Sequence, residues 1–226
     1  MPMKGSGPST GWEETNRWER GVSWLPHPEE TMQRVSHALD TEAGVVVVDP
    51  VDADGIDDLF AEFGEVAGVV VLLDRHKRDS AAVANRHDVP VYIPEWMSGV
   101  ESDLDAPVER VRRQIPGTDY GVHKLFDNPF WQEAALYGDD DDTLVVPEAV
   151  GTADYFLAGD ERLGVHPMLR LTPPSKLKRL DPDRLLVGHG HGIMADATEA
   201  LIYALRGSRS RTPSLYAKNI KSLVLG

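Results

Sequence analysis

The chain of 226 residues contains no cysteine. Disulfide frameworks, thiolate metal ligation and a cysteine nucleophile are therefore excluded. Long apolar runs are also missing. No stretch is long enough to span a bilayer, and the opening Met-Pro-Met-Lys-Gly-Ser-Gly lacks the apolar core of a signal peptide. The expectation is a soluble cytoplasmic protein. Positive charge is in deficit: 23 Lys+Arg stand against 37 Asp+Glu, a net charge of −14. Such a balance argues against nucleic acid or an anionic membrane as a partner. No G-x-G-x-x-G or Walker-type run follows an apolar segment, which disfavours a nucleotide-binding α/β protein.

What is abundant is aspartate, at 52, 54, 57 and 58 and in the run Asp139–Asp142. This bias fits a protein kept soluble in a salt-rich cytoplasm, though an ordinary acidic protein shares it. The acidic run reads as a solvated hairpin tip. It lacks the distant glutamate of a calcium loop.

The length suits one large domain or two small ones. Residues 1–30 are polar, with Gly, Pro and three tryptophans (Trp12, Trp18, Trp24), and predict an irregular arm anchored by those rings. Met32, Val35, Ser36 and Leu39 have helical spacing, yet a hairpin with Gly44 in its turn competes, since Val45–Val48 reads as a strand. Residues 54–64 predict a helix capped by Asp54, apolar at Ile56, Leu59, Phe60 and Phe63, and stopped by Gly64. Val66–Leu73 is apolar nearly throughout, as a strand buried on both faces would be. A helix from Ser80 to His87 and a strand over Val89–Ile93 complete a pattern that implies a parallel-containing α/β sheet. Further strands are expected at Val108–Arg112, Tyr120–Phe126, Gln132–Tyr137, Thr143–Val146 and Leu185–Val187. Asp196 and Glu199 form a capping-box-like pair opening a helix to Arg206, with Gly207 as its stop and residues 208–226 as a basic tail.

Two turns that follow buried strands carry chemistry. One is Asp74-Arg75-His76-Lys77-Arg78-Asp79-Ser80 and the other Gly188-His189-Gly190-His191-Gly192. Polar groups at the carboxyl end of a buried strand, before a helix, lie where α/β proteins build sites. Glycines beside a histidine allow close approach of a ligand or metal. The plainer reading, that His189 only hydrogen-bonds loop carbonyls, stands beside this one.

The order of these landmarks resembles the metallo-β-lactamase fold superfamily over roughly residues 31 to 206. They are Val47-Val48-Asp49-Pro50 before a helix, the buried strand opening into the charged turn, and Val89-Pro90-Val91-Tyr92. Leu144-Val145-Val146-Pro147-Glu148-Ala149-Val150-Gly151-Thr152-Ala153-Asp154 and Leu185-Leu186-Val187-Gly188-His189-Gly190 complete them. The resemblance implies a four-layer αββα sandwich with metals at one edge between the sheets. It divides the chain into an arm (1–30), the domain (31–207) and a tail (208–226). It also implies an opening hairpin, so residues 32–39 are taken as a strand.

That family's metal motif reads HxHxDH, and the matching run here is Arg75-His76-Lys77-Arg78-Asp79-Ser80. Only Asp79 keeps its type; Arg75 and Lys77 replace two histidines and Ser80 a third. His76 falls between ligand positions and is expected to point elsewhere. No middle histidine is evident near Phe126–Phe130. Asp154 matches the bridging aspartate and His189 the final histidine, so the resemblance leaves Asp79, Asp154 and His189 as the surviving ligand set.

Cations planted in such a site would repel a divalent metal by on the order of several kcal/mol. The first expectation is therefore a metal-free, non-catalytic relative in which Arg75 and Lys77 neutralise Asp79 and Asp154. An anionic small molecule held by Arg75, Lys77, Arg78 and Ser80 is the variant of this reading. The alternative is a hydrolase of esters, thioesters or lactones, with Asp79 and His189 catalytic and one zinc, manganese or iron ion. A homodimer is open on either reading. His87, His123 and His166 are expected to be structural and His27 exposed.

Overall fold

In the computed structural model, residues 9–225 are described, with side chains through 221. Strands β1 (Glu13–Trp18), β2 (Gly21–Leu25), β3 (Ser36–Thr41) and β4 (Gly44–Val48) run as an antiparallel meander. Strands β5 (Val66–Val70), β6 (Val91–Pro94) and β7 (Val108–Val111) then add parallel to β4, completing a seven-stranded sheet in chain order. Over Glu13–Leu25 the arm is therefore not irregular, while its residues 1–8 lie outside the described residues. Its β1–β2 hairpin escapes a periodicity reading because β1 is an edge strand, polar on both faces. Trp24 does anchor it: the ring is fully buried edge-on to Phe60, and Nε1–H donates to the Val51 carbonyl at 3.0 Å.

The β3–β4 pairing is the hairpin with Gly44 (φ 116°), so helical spacing at 32–39 is a coincidence of composition, although the strand begins only at Ser36. Parallel connections need crossovers, and helices α1 (Ile56–Ala61) and α2 (Ser80–His87) supply two of them. Asp54 does not cap α1; Gly55, with left-handed backbone, holds that position.

The second sheet is β8 (Tyr120–Asn128), β9 (Trp131–Gly138), β10 (Thr143–Val146) and β13 (Arg184–Val187), in the order β13-β10-β9-β8. The small pair β11 (Val150–Gly151) and β12 (Gly164–Val165) lies between β10 and β13 in the chain. Helix α3 runs from Ala197 to Leu225, straight through Gly207 and Pro213. The expected stop at Gly207 and the tail beyond it are thus corrected. Leu215 and Ser208 are fully buried, so tertiary packing outweighs the local helix-breaking signals.

Alternation along β4 and β5 explains their continuous apolar runs. Val45, Val47, Val69 and Val71 pack outward with Ile56, Leu59 and Phe60 of α1 and Val83 of α2. Val46, Val48, Val70 and Leu72 face inward against Leu136, Val145 and Leu186 of the second sheet. The second sheet's other face packs on Leu201 and Leu205 of α3. The result is a four-layer αββα sandwich.

Candidate metal centre

Strands β4, β5, β10 and β13 all deliver polar residues to one edge of the sandwich. Parallel pairing of β10 with β13 sets Val146 opposite Val187, so two residues further on Glu148 emerges beside His189. On the first sheet, β4 ends in Asp49 and the chain after β5 turns back at Asp74–Ser80. Donor atoms of His76, Glu148 and His189 come within 4.8 Å of one another, all three residues buried.

Each donor is oriented from behind. His76 Nδ1 lies 3.1 Å from Asp49 Oδ2, and its Nε2 lies 3.4 Å from Glu148 Oε2. His189 Nδ1 donates to the Met32 carbonyl at 2.8 Å, leaving Nε2 buried and without a hydrogen-bond partner. Glu148 Oε1 lies 3.5 Å from His166 Nε2, whose Nδ1 accepts the Met168 backbone N–H at 3.2 Å. That acceptance puts the proton of neutral His166 on Nε2, toward the carboxylate.

The electrostatics follow from burial and charge. Burial alone would raise the Glu148 carboxyl. The hydrogen bond and charge of His76, together with the charge of Arg75, outweigh it and hold the group well below the usual carboxylate range. Burial, reinforced by the charges of His76 and Arg78, keeps His189 strongly neutral, as a ligand imidazole must be. Burial also pushes His166 down to about 4. Asp49 (φ 45°) and Arg78 (φ 41°) both hold left-handed backbone, strain of a kind that collects at functional sites.

The residues singled out from sequence scatter. Asp79 faces away, its Oδ2 accepting the Asp52 N–H at 2.9 Å. Asp154 is 89 % exposed and paired with Lys218 at 2.9 Å. Among the described residues, the metal-compatible group includes His189 but neither Asp79 nor Asp154. Lys77 pairs outward with Asp103 at 2.6 Å, and Ser80 is buried with its hydroxyl unpartnered. Arg75 reaches Glu148 Oε2 at 3.1 Å while stacking 4.0 Å over Trp131. Arg78 alone turns beneath the site. Its Nη1 donates to the carbonyls of Val35 (2.8 Å) and Asp49 (2.7 Å). Arg75, Lys77, Arg78 and Ser80 therefore do not converge on a shared anion position, and neither Arg75 nor Lys77 pairs with Asp79 or Asp154.

His76 points into the site, contrary to its expected place between ligand positions. His166, expected to be structural, touches Glu148, and His27 is buried rather than exposed. Glu148 was missed because one landmark, Asp154, had absorbed the carboxylate role. The available signal was its place directly after the buried strand Thr143–Val146, equivalent to that of His189 after β13.

Two imidazoles and one carboxylate are a donor set that a divalent ion can use, and catalytic centres commonly have three protein ligands. The orphaned Nε2 of His189 and the outer hydrogen bonds on both imidazoles fit such an ion.

No family model matches the chain, and no curated protein matches it either. Solved structures do. A metallo-β-lactamase from Pontibacter korlensis is similar at 13 % identity and a TM-score of 0.62, over 87 % of this chain and 99 % of that one. The DIM-1 metallo-β-lactamase exposed to ceftazidime gives 10 % and 0.61, over 89 % and 96 %. The protein TTHA1623 in a di-iron-bound form gives 17 % and 0.53, over 75 % and 93 %. This chain has the metallo-β-lactamase fold.

Proposed function

We propose that this metallo-β-lactamase-fold protein carries a reduced, single-metal centre at His76, Glu148 and His189 and hydrolyses an ester, thioester or lactone. The observation that carries the reading is the His189 imidazole, buried, held neutral, and with Nε2 unpartnered beside Glu148 and His76. A buried polar atom without a partner is costly, and a ligand to it removes that cost.

A divalent ion there would supply positive charge that polarises a carbonyl and makes water a better nucleophile. The chain's own groups do the rest. Asp49 fixes the ring of His76, the Met32 carbonyl fixes the tautomer of His189, and His166 holds Oε1 of Glu148. Arg78 contributes a fixed cation, coupled electrostatically to both His189 and Glu148. Asp49 and Glu148 face Arg75 and Arg78, so the side-chain charges nearly cancel and a second divalent ion would meet more repulsion than the first.

A second reading is a metal-free charge cluster, the kind of site expected first from the sequence but built on residues other than Lys77, Asp79 and Asp154. It draws on Arg75 and His76, which already engage Oε2 of Glu148. Metal analysis separates the two. Protein purified without chelator, then incubated with zinc, manganese or iron and desalted, is expected to retain one equivalent, and His76→Ala and His189→Ala none. Absence of bound metal under all three conditions would sink the hydrolase and leave the charge cluster.

A further inference from the structure

The cleft over Glu148 suggests what the site acts on. Its volume is about 390 Å³; Met32, Trp131 and Tyr155 form apolar walls around Glu148 and His166. Two more lining residues come from distant segments and stand in water: Phe130, on the β8–β9 hairpin, is 88 % exposed, and Met168, after β12, is 72 % exposed. Single exposed apolar side chains are ordinary, but two on one cleft that also contains a proposed metal ligand form a binding surface.

Charge narrows the class. Arg75 is the one cation lining this cleft and Glu148 the one carboxylate, and they neutralise each other at 3.1 Å. Arg75 also stacks on Trp131, so it is already committed at both its faces of interaction. Among the described residues, no further cationic side chain lines the cleft. A larger cleft is polar instead, lined by Asp52, Asp54, Asp57 and Asp79 together with Arg34 and Arg86.

We propose that the cleft takes an uncharged ester or lactone with an apolar acyl chain, the chain lying along Trp131 and Tyr155 and covered by Phe130 and Met168. The carbonyl end then sits at Glu148 and His166. This substrate class rests on the single-metal reading for its chemistry, but its recognition step does not need the metal.

Calorimetric titration of the protein as isolated, with octanamide and butanamide as unreactive probes, tests it. Each methylene moved fully out of water is worth about fourfold in affinity, so four half-covered methylenes predict about 15-fold tighter octanamide binding. Phe130→Ala and Met168→Ala should each weaken octanamide by roughly threefold or more while leaving butanamide unchanged, and Phe130→Leu should restore most of it. Equal affinity for both amides, no binding of either, or octanoate binding as tightly as octanamide would overturn the proposal. A chain-length preference in a protein that never retains metal would leave the cleft assignment standing and remove the hydrolase. Retained metal without that preference would do the reverse.

Discussion

His76 Nδ1 and Asp49 Oδ2 lie 3.1 Å apart, although 27 residues separate them in the chain. The other oxygen of Asp49 accepts the Leu72 N–H at 2.9 Å, so one carboxylate joins the end of β4 to the strand that carries the histidine turn. This contact aims Nε2 of His76 at Glu148. Asp49→Asn should keep the fold and lower metal affinity about 10- to 100-fold, as loss of an outer partner typically does. Competition with a chromophoric chelator reads the change directly.

Arg78 binds three strand ends together, through the carbonyls of Val35 before β3, Asp49 after β4 and Gly188 after β13. Arg78→Met would leave those carbonyls short of a donor and is expected to cost about 2–3 kcal/mol of stability. Arg78→Lys keeps the charge but not the fork, so it should recover only part of the loss. Urea denaturation of the three proteins gives the comparison.

His37 predicts a pH dependence. Burial, then the charge of Arg78, pushes its imidazole down to about 3. A depressed histidine is neutral in the folded state while the unfolded chain takes up a proton near pH 6.5. The stabilisation is therefore present above pH 6.5 and is lost as pH falls toward 3, by about 1.4 kcal/mol per unit across that window. His37→Asn should flatten the stability profile between pH 6.5 and 4 relative to wild type. Denaturation midpoints at half-unit steps measure the slope, and identical slopes would rule out this role for His37.

Helix α3 beyond Gly207 belongs to the folded core. Leu215 is fully buried, and Arg211 reaches Glu161 at 3.3 Å, alongside the buried Arg170–Glu161 pair. Leu215→Ala is expected to cost about 2–4 kcal/mol. A chain ending at residue 207 should lose cooperative unfolding, which a thermal melt by circular dichroism would show. An unchanged melt would return this segment to the status of a dispensable tail.

Much of the frame was legible in the residues themselves. The apolar runs at 45–48 and 66–70, the helix at Ser80–His87 and the strand at Thr143–Val146 stand where their patterns put them. Burial on both faces of a sheet demands apolar residues at every position, and that demand is written locally. The Gly-His-Gly turn, too, marked His189 as a residue near the site's centre.

The partners of His189 were not legible, because no local pattern specifies them. A motif alignment ranks ligand positions by sequence spacing, and it set His76 aside and chose Asp79 and Asp154. In the folded chain, left-handed backbone at Asp49 and Arg78 shapes the two turns, and the Asp49 contact holds the His76 ring inward. Parallel register between β10 and β13 brings Glu148 beside His189, while Asp154 is carried out to Lys218. Sequence by itself determined most strands and helices of this protein, since hydrophobic period is a property of neighbouring residues, while their stacking into four layers was implied by the family resemblance. Tertiary structure alone decided which charges meet, since strand register and turn geometry are set by contacts between segments far apart in the chain.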